Sequence, residues 1–418
     1  MEVNVTPGFK QTEVGVIPRD WETYTLQDLI NQNAIVGHLD GNHGELYPRS
    51  HEFKEFGVPY VTANDLCGHI VNLNNCKYLS EERASRFKKG VAKNGDVLFA
   101  HNATVGPTAL LSTKLNYVIL STTATYFRCN PEKLFNSFLL CMLQSPLFVG
   151  QYRAVMAQST RNQVPITAQR KLSIAVPPTL GEQEVIAKAL SDADFFIESL
   201  EQLVAKKRQI KQGVMQELLT GKRRLPGFSG EWEVKRFGEI CQPRKERFDA
   251  RRAGIQKFCV EMEHIDQGTG SLIGNTATGP TSSLKSVFHI NDVLFGKLRA
   301  YLRKYWLANR DGVCSTEIWV LIAKHSVLDP KFLFQIVKMD RFIDAASSAY
   351  GTHMPRSDWK VVRNFEVNLP PFKEQSAIAT TLSEMDAEIA ALEAKLEKAR
   401  QIKQGMMREL LRGRIRLI

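Results

Sequence analysis

An internal duplication constrains this chain more than any other feature of its sequence. Residues 177–225 recur as residues 370–417, and the two copies align without a gap from Glu182 onward, at an offset of 374 − 182 = 192 positions. The match includes an identical hexapeptide, Arg-Gln-Ile-Lys-Gln-Gly, at residues 208–213 and 400–405. Both copies also close on Glu-Leu-Leu-x-Gly. The fold must therefore contain the same element twice.

Each copy is predicted to form one long helix of roughly 60 Å. Two prolines begin each copy and suit a helix start, and glutamate in the first turn complements the helix dipole. Apolar residues then recur at spacings of four and three, which is the a/d seam of a coiled coil. The seam residues are Ile186, Leu190, Ile197, Leu200 and Val204 in the first copy, and Ile378, Leu382, Met385, Ile389, Leu392 and Leu396 in the second. An ordinary amphipathic bundle helix is the alternative, but two matching seams in one chain are most economically buried against each other.

Composition narrows the class of protein. The chain has 418 residues, of which 43% are hydrophobic and 24% charged, as in a globular protein of two or more domains. It contains no apolar run near the roughly 20 residues of a membrane span, and we expect a cytoplasmic protein with no membrane partner. Its seven scattered cysteines include no Cys-x-x-Cys pair, which favours reduced thiols over disulfides or zinc. The net charge of +11 suits a polyanionic partner such as nucleic acid.

Outside the two helices, the chain divides into two blocks that share a framework of short motifs. Each block has a Trp-Glu opening, a short amphipathic segment, an Asp-Val-Leu-Phe strand, a Ser-Thr pair, a helical pattern, a polar loop with a proline and a final strand. The helical patterns cover residues 131–147 and 330–342, and the final strands cover residues 172–176 and 365–369. Between these motifs the two blocks differ almost completely.

The predicted fold class is α/β (α+β), with two mixed, strand-rich globules separated by two long helices. The predicted domains are residues 1–176, 177–225, 226–369 and 370–418, in the order globule, helix, globule, helix. If the helices pack as an antiparallel coiled coil, a pseudo-twofold axis relates the globules. Duplex DNA has a twofold axis too, so two inverted globules at a fixed separation suit two half-sites.

These motifs resemble the specificity subunits of type I restriction–modification systems. The Pro-Pro…Glu-Gln helix start, the Arg-Gln-Ile-Lys-Gln-Gly-x-Met-x-Glu-Leu-Leu-x-Gly helix end and the Trp-Glu opening each occur twice, in the arrangement of that family. The resemblance implies that each globule is a target-recognition domain for one half of a bipartite, asymmetric DNA site. It also implies that the helices set the spacer and dock two copies of a methyltransferase (modification) subunit, with restriction or translocase subunits as further partners.

The same resemblance implies a chain that is not an enzyme and binds no cofactor itself, its partners using S-adenosylmethionine, ATP and Mg²⁺. The sequence agrees, because it has no phosphate-binding Gly-x-x-x-x-Gly-Lys-Ser/Thr motif. The nearest string to a methyltransferase Asn-Pro-Pro-aromatic motif is Asn368-Leu-Pro-Pro-Phe372, whose prolines already begin the second helix. His38 and His43 lie five apart in a Gly-rich stretch, and we expect no metal there.

Polar loop residues are the candidates for contact with double-stranded DNA. They follow the two Asp-Val-Leu-Phe strands or lie in the loops that contain a proline, and their side chains can read base edges or grip phosphate. The first globule contributes His101, Asn102, Thr104, Thr160, Arg161, Asn162 and Gln163; the second contributes Lys297, Arg299, Tyr301, Arg303, Lys304, Thr352, His353 and Arg356. Two basic clusters are expected to attract phosphates, namely Arg83, Arg86, Lys88 and Lys89, and Arg244, Lys245, Arg247, Arg251 and Arg252.

Two other kinds of protein compete with this interpretation. A coiled-coil adaptor could bind protein or RNA through its globules, without DNA sequence specificity. The charge of +11 and the dissimilar globules fit such an adaptor less well. A self-contained nuclease or methyltransferase is disfavoured by the missing motifs.

Overall fold

The computed structural model describes residues 7–41, 44, 47–279, 282–348 and 355–417. The chain forms two compact units, one made of Met1–Leu200 with Lys395–Ile418 and the other of Glu201–Ala394. Each unit therefore combines one globule with part of both long helices. These boundaries cut through the helices, whereas the predicted domain limits follow the helix ends.

The first unit contains a globule built on two main sheets, with short helices. Its strands are β1 (Phe9–Thr12), β2 (Gly15–Pro18), β3 (Glu22–Thr25), β4 (Ile35–Asp40), β5 (Phe53–Lys54), β6 (Val58–Val61), β7 (Leu66–Cys67), β8 (Ile70–Val71), β9 (Lys77–Leu79), β10 (Val91–Ala92), β11 (Val97–Asn102), β12 (Thr104–Leu110), β13 (Val118–Leu120), β14 (Ala124–Cys129) and β15 (Ser173–Val176). Its helices are α1 (Leu26–Asn31), α2 (Glu81–Ala84), α3 (Asn136–Gln144), α4 (Pro146–Ala157), α5 (Ile166–Gln169) and the first part of α6 (Leu180–Thr220). The six-stranded sheet has the order β4-β14-β11-β12-β8-β7, and the five-stranded sheet has the order β10-β13-β6-β9-β5. Two further sheets are two-stranded and pair β1 with β2 and β3 with β15.

The second unit contains a smaller globule of the same kind. Its strands are β16 (Glu233–Arg236), β17 (Cys241–Pro243), β18 (Arg247–Phe248), β19 (Cys259–Val260), β20 (Lys285–Phe288), β21 (Val293–Gly296), β22 (Tyr305–Leu307), β23 (Gly312–Cys314), β24 (Ile318–Ala323) and β25 (Glu366–Leu369). Its helices are α7 (Phe237–Ile240), α8 (Ala250–Ala253), α9 (Pro330–Ile336), α10 (Asp340–Ser347), α11 (Trp359–Val362) and the first part of α12 (Phe372–Leu410). Its two four-stranded sheets have the orders β17-β24-β21-β22 and β18-β20-β23-β19, and β16 pairs with β25 in a two-stranded sheet. The predicted class of mixed, strand-rich globules with two long helices is confirmed.

The Asp-Val-Leu-Phe motif forms the central strand of a sheet in both globules. Strand β11 lies between β14 and β12, and β21 lies between β24 and β22. The aspartate that precedes each strand is buried and accepts two hydrogen bonds from one arginine: Arg128 binds Asp96 at 2.9 and 2.7 Å, and Arg244 binds Asp292 at 2.9 and 2.9 Å. A buried carboxylate needs such a partner. This pairing accounts for the repeated aspartate.

The helical pattern at residues 131–147 differs from the prediction. The structure has a helix only from Asn136, and a second helix begins at Pro146. The Ser145 hydroxyl accepts a hydrogen bond from the Phe148 amide, and proline at the first helical position supports this new start. A break therefore replaces one continuous helix.

The long helices α6 and α12 have 41 and 39 residues. Of the predicted seam residues, Ile197, Met385 and Leu392 are half-buried and the others are buried. The seam residues near the helix starts also pack into the cores of the globules. Ile186 and Leu190 belong to the core of the first globule, and Ile378 and Leu382 belong to that of the second. The helices are thus anchored in the globules as well as on each other.

Repeat-related ion pairs show that the helices run antiparallel in each unit. In the first unit Lys403 binds Asp194, and in the second the equivalent Lys211 binds Asp386. Arg416 binds Glu182 at 2.8 Å in the first unit. The equivalent Arg224 binds Glu374 at 2.6 and 2.7 Å in the second. Each helix start is therefore clamped by the end of the other copy.

The repeated Glu-Gln pair is explained by this clamp. While the glutamate binds the arginine, the glutamine fastens the helix to its globule. Gln183 accepts a hydrogen bond from the Phe135 amide at 2.9 Å, and Gln375 accepts one from the Asp329 amide at 2.9 Å.

None of the helices in the described part of the chain is long and apolar enough to cross a membrane.

Candidate DNA interface

In the first globule, the polar loop lies against the tip of the β11–β12 hairpin. Ala103 forms the tip and has a left-handed backbone with φ 62°. Its amide donates to the Asn162 carbonyl at 3.1 Å, and the Asn162 side chain donates back to the Ala103 carbonyl at 2.7 Å. The Val164 amide donates to the His101 carbonyl at 2.8 Å. The two predicted loops therefore form one surface.

The second globule has the same arrangement at its own hairpin. The Arg299 amide donates to the Pro355 carbonyl at 2.9 Å, and Arg299 is left-handed with φ 53°. The Ser357 amide donates to the Lys297 carbonyl at 2.8 Å. The two globules also match at the residue that precedes the neighbouring strand. In the second globule the Lys297 amide donates to the Glu317 carbonyl at 3.0 Å. In the first globule the His101 amide donates to the Thr123 carbonyl at 3.0 Å.

We call this shared set of backbone contacts the hairpin frame. Its equivalent positions are His101 and Lys297, Asn102 and Leu298, Ala103 and Arg299, Thr123 and Glu317, Asn162 and Pro355, Gln163 and Arg356, and Val164 and Ser357. No pair keeps the same residue. One backbone thus carries two different sets of side chains.

A sequence signal for part of this frame exists. Counting from the aspartate of Asp-Val-Leu-Phe, His101 is at 101 − 96 = 5 and Lys297 is at 297 − 292 = 5. Counting from the Ser-Thr pairs likewise aligns Thr123 with Glu317, two residues that the candidate list misses. The polar loop that contains the proline, by contrast, is distant in sequence from the hairpin. It lies beside the hairpin only in the folded chain.

The candidates of the first globule differ in exposure. His101 lies on β11 and is buried at 5% exposure, which removes its side chain from the surface. Asn102 and Gln163 are half-buried. The exposed candidates are Thr104, Thr160, Arg161 and Asn162.

The second hairpin has a longer tip, in which two candidates are anchored internally. A short turn, Ala300–Leu302, separates Arg299 from Arg303. The Arg303 guanidinium binds Asp340 at 2.5 Å, and the Lys304 ammonium donates to the Met262 carbonyl at 2.6 Å. Arg299 is exposed and Tyr301 is 52% exposed, while Lys297 is half-buried. Thr352 and His353 lie outside the described residues.

A buried polar network supports the first loop from below. Gln169 is fully buried and donates to the Val164 carbonyl at 2.9 Å and to the Thr125 hydroxyl at 3.1 Å. Its carbonyl oxygen lies 3.1 Å from His38 Nε2. Burial lowers the pKa of His38 to about 4, so its ring is neutral at pH 7 and donates through Nε2. His38 lies on strand β4 rather than in a loop, and His43 lies outside the described residues.

Several of the clustered basic residues bind nearby carboxylates. Arg83 binds Glu52 at 2.6 Å, and Arg86 binds Glu82 at 2.5 Å. In the second cluster Arg244 binds Asp292, and Arg251 binds Asp249 at 3.1 Å. These pairs reduce the positive charge that the clusters present to phosphates. Within the described ranges, no three His, Cys, Asp or Glu side chains are grouped to hold a metal ion.

Comparison with known proteins identifies the family. The profile of the type I restriction modification DNA specificity domain matches residues 18–212 and again residues 229–401. The putative type I restriction enzyme MjaX specificity subunit of Methanocaldococcus jannaschii is 23% identical over 98% of this chain and 97% of its own length. The chain therefore belongs to the type I restriction–modification DNA specificity family. Both the resemblance and the role of a DNA-recognition subunit without catalysis of its own are confirmed.

Solved structures agree on the fold. The S subunit of the type I restriction–modification system from M. genitalium shares 15% identity at a TM-score of 0.57, over 97% of this chain and 98% of that chain. A chain from a study of complex assembly and conformational transition of the type I R-M system shares 19% identity at a TM-score of 0.58, over 96% and 99%. At these identities the likeness concerns the fold alone.

Proposed function

We propose that each globule reads one half of a bipartite, asymmetric DNA site through its hairpin frame. The observation that carries the proposal is the frame itself: the two globules present an equivalent backbone whose side chains differ at every position. Because the two globules share this backbone geometry, each can approach a DNA groove in the same way. The base edges are then distinguished by the side chains. Different side chains therefore read different half-sites.

We further propose that the two helices dock two methyltransferase subunits. Identity between the helix copies supports this. Positions that are identical and exposed in both copies all lie within residues 206–213 and 398–405, and they include Ile210 and Ile402 at 45% and 53% exposure. Exposed positions elsewhere on the helices differ, as at Phe195 and Ala387. Folding does not require exposed residues to match, but binding the same partner twice does.

A glycine in each copy of this stretch supports the same interpretation. Gly213 and Gly405 lie inside helices, where glycine costs about 0.5–1 kcal/mol relative to alanine. A Cβ atom added at either position would meet no atom within 4 Å. Neither packing nor backbone geometry in this chain explains the glycine, whereas close approach of a partner would.

A charge placed on one exposed isoleucine should remove one partner. Ile210→Glu and Ile402→Glu should each reduce binding from two methyltransferase copies to one, and the double variant should bind none. Native mass spectrometry of the assembled complex counts the copies. The matched control is Leu203→Glu, which alters an exposed apolar residue of α6 whose equivalent is Lys395. Two copies retained by the double variant would contradict docking on these faces.

The remaining components follow from this assignment. We propose that the methyltransferase partners bind S-adenosylmethionine, that a restriction or translocase partner uses ATP and Mg²⁺, and that the complex works in the cytoplasm. This chain would contribute recognition and spacing. For every described candidate residue, contact with DNA stays a prediction.

The proposal is tested by mapping methylated adenines in host DNA with and without the gene. Loss of one motif with two specific halves around a fixed gap is expected. Purified chain alone should methylate nothing, while chain and methyltransferase together should restore the motif. Exchange of residues 226–369 for another globule should then change one half only. Unchanged methylation, with binding to RNA or protein instead, would favour the adaptor.

A further inference from the structure

We propose that Gln163 and Arg356 occupy the same base-reading position in the two globules, with Gln163 reading an adenine and Arg356 reading a guanine. The inference rests on the proposed function and names the residues that distinguish the two half-sites. Its basis is the equivalence of the two positions in the hairpin frame and the chemistry of their side chains.

Backbone contacts hold both residues opposite the same point of the hairpin. Gln163 forms an antiparallel bridge with Asn102, and Arg356 forms one with Leu298. The following residue is fixed in each case by the Val164 or Ser357 amide hydrogen bond already described. The two side chains therefore start from equivalent backbone positions.

The other pairs of the frame are excluded one by one. Leu298 and Ala103 carry no polar side-chain group, and Pro355 has none opposite Asn162. His101 is buried, as are Val164 and Ser357. Thr123 accepts a hydrogen bond from the Ala63 amide at 2.9 Å and contacts Ser121 at 2.6 Å. Only the 163/356 pair places an accessible hydrogen-bonding group in both globules of the described chain.

Arg356 is prepared for bidentate recognition. Its side chain is 58% exposed, and Nη2 binds Glu317 Oε1 at 3.1 Å. That contact restrains the guanidinium while leaving its other N–H donors available. Arginine donates two parallel hydrogen bonds to O6 and N7 of guanine in the major groove. Glu317 is thus a positioning residue for this recognition.

Gln163 has the matching chemistry for adenine. It is half-buried, and its side-chain amide has no hydrogen-bond partner among the residues that the structure describes. A glutamine amide both donates and accepts, which is the combination that adenine N7 and N6 require. The first globule also lacks a carboxylate at the position of Glu317, where it has Thr123.

Reciprocal substitutions test the inference in the assembled methyltransferase complex. Gln163→Arg should change one position of the first half-site from adenine to guanine, and Arg356→Gln should do the opposite in the second. Loss of a bidentate pair should lower discrimination at that base on the order of tenfold to a hundredfold. Methylation of a randomised DNA library, read by sequencing, reports both halves at once.

Three control variants separate base reading from charge, from positioning and from general contact with DNA. Arg356→Lys keeps the charge but loses the planar fork, so affinity should persist while guanine discrimination falls. Glu317→Gln should weaken the same discrimination and leave the other half intact. Arg161→Gln, at an exposed basic residue, should weaken binding evenly across sequences.

The outcomes distinguish the inference from the proposed function. A complex of Gln163→Arg that methylates the wild-type motif with unchanged base preference overturns the inference alone. A change confined to that base supports it. A wild-type complex that methylates no bipartite motif would overturn the proposed function first.

Discussion

Four residues inserted after Leu200 together with four after Ala394 should lengthen the recognised gap and leave both half-sites unchanged. Four helical residues add about 6 Å, which corresponds to roughly two base pairs at about 3.4 Å each. Both insertions fall where the two compact units meet along the sequence. All the helix–helix ion pairs described above join residues of one unit, so each should survive. Mapping of methylated adenines in the variant measures the gap.

An insertion after Leu200 alone is the informative control. It lengthens α6 but not α12. The residues of α6 beyond the insertion are then displaced along α12. We expect this variant to lose stability or activity, whereas the paired insertion keeps both. A gap that stays constant in an active paired variant would show that the helices do not measure the spacing.

Substitution of Asp96 by alanine should destabilise the first globule by about 1–3 kcal/mol, because it removes hydrogen bonds to a charged group and leaves Arg128, whose side chain is 30% exposed, without its partner. The Asp96 side chain is 2% exposed and accepts two bonds from Arg128. It also accepts one from the Lys93 amide at 2.7 Å, so the turn before β11 loses its support. Urea unfolding followed by circular dichroism gives the free energy.

A surface pair provides the matched comparison. Glu82 and Arg86 form an exposed pair one helical turn apart, at 81% and 61% exposure. Glu82→Ala should change the free energy of unfolding by no more than about 0.5 kcal/mol. Asp292→Ala, at the equivalent position of the second globule, should repeat the large effect there. Equal, small losses for Asp96 and Glu82 would rule out a supporting role for the repeated aspartate.

The sequence predicted the features that depend on local patterns and on repetition. The long helices were recognisable because heptad spacing and the offset of 192 residues identify them independently. The final strands, predicted at 172–176 and 365–369, are β15 (Ser173–Val176) and β25 (Glu366–Leu369). Alternating apolar residues and the preceding turns were sufficient signals for these elements.

Long-range contacts explain what the sequence did not predict. His101 follows the Asp-Val-Leu-Phe motif and is therefore predicted to lie in a loop. Strand β11 instead extends through Asn102, and the His101 side chain is buried. Arg303 and Lys304 are as basic as Arg299, but their partners, Asp340 and Met262, come from other parts of the globule. The pairing of Arg356 with Glu317 likewise joins two segments 39 residues apart. A linear pattern does not encode such neighbours.

The exchanged ion pairs of the long helices have a consequence for ancestry. Each unit combines the start of one helix copy with the end of the other, and the charged partners are the same residues at the repeat offset. A half-length chain with a single globule and a single helix would find its missing contacts in a second, identical chain. Such a homodimer would recognise a palindrome. Gene duplication and fusion would then free each hairpin to mutate separately, so that the palindrome could become an asymmetric site.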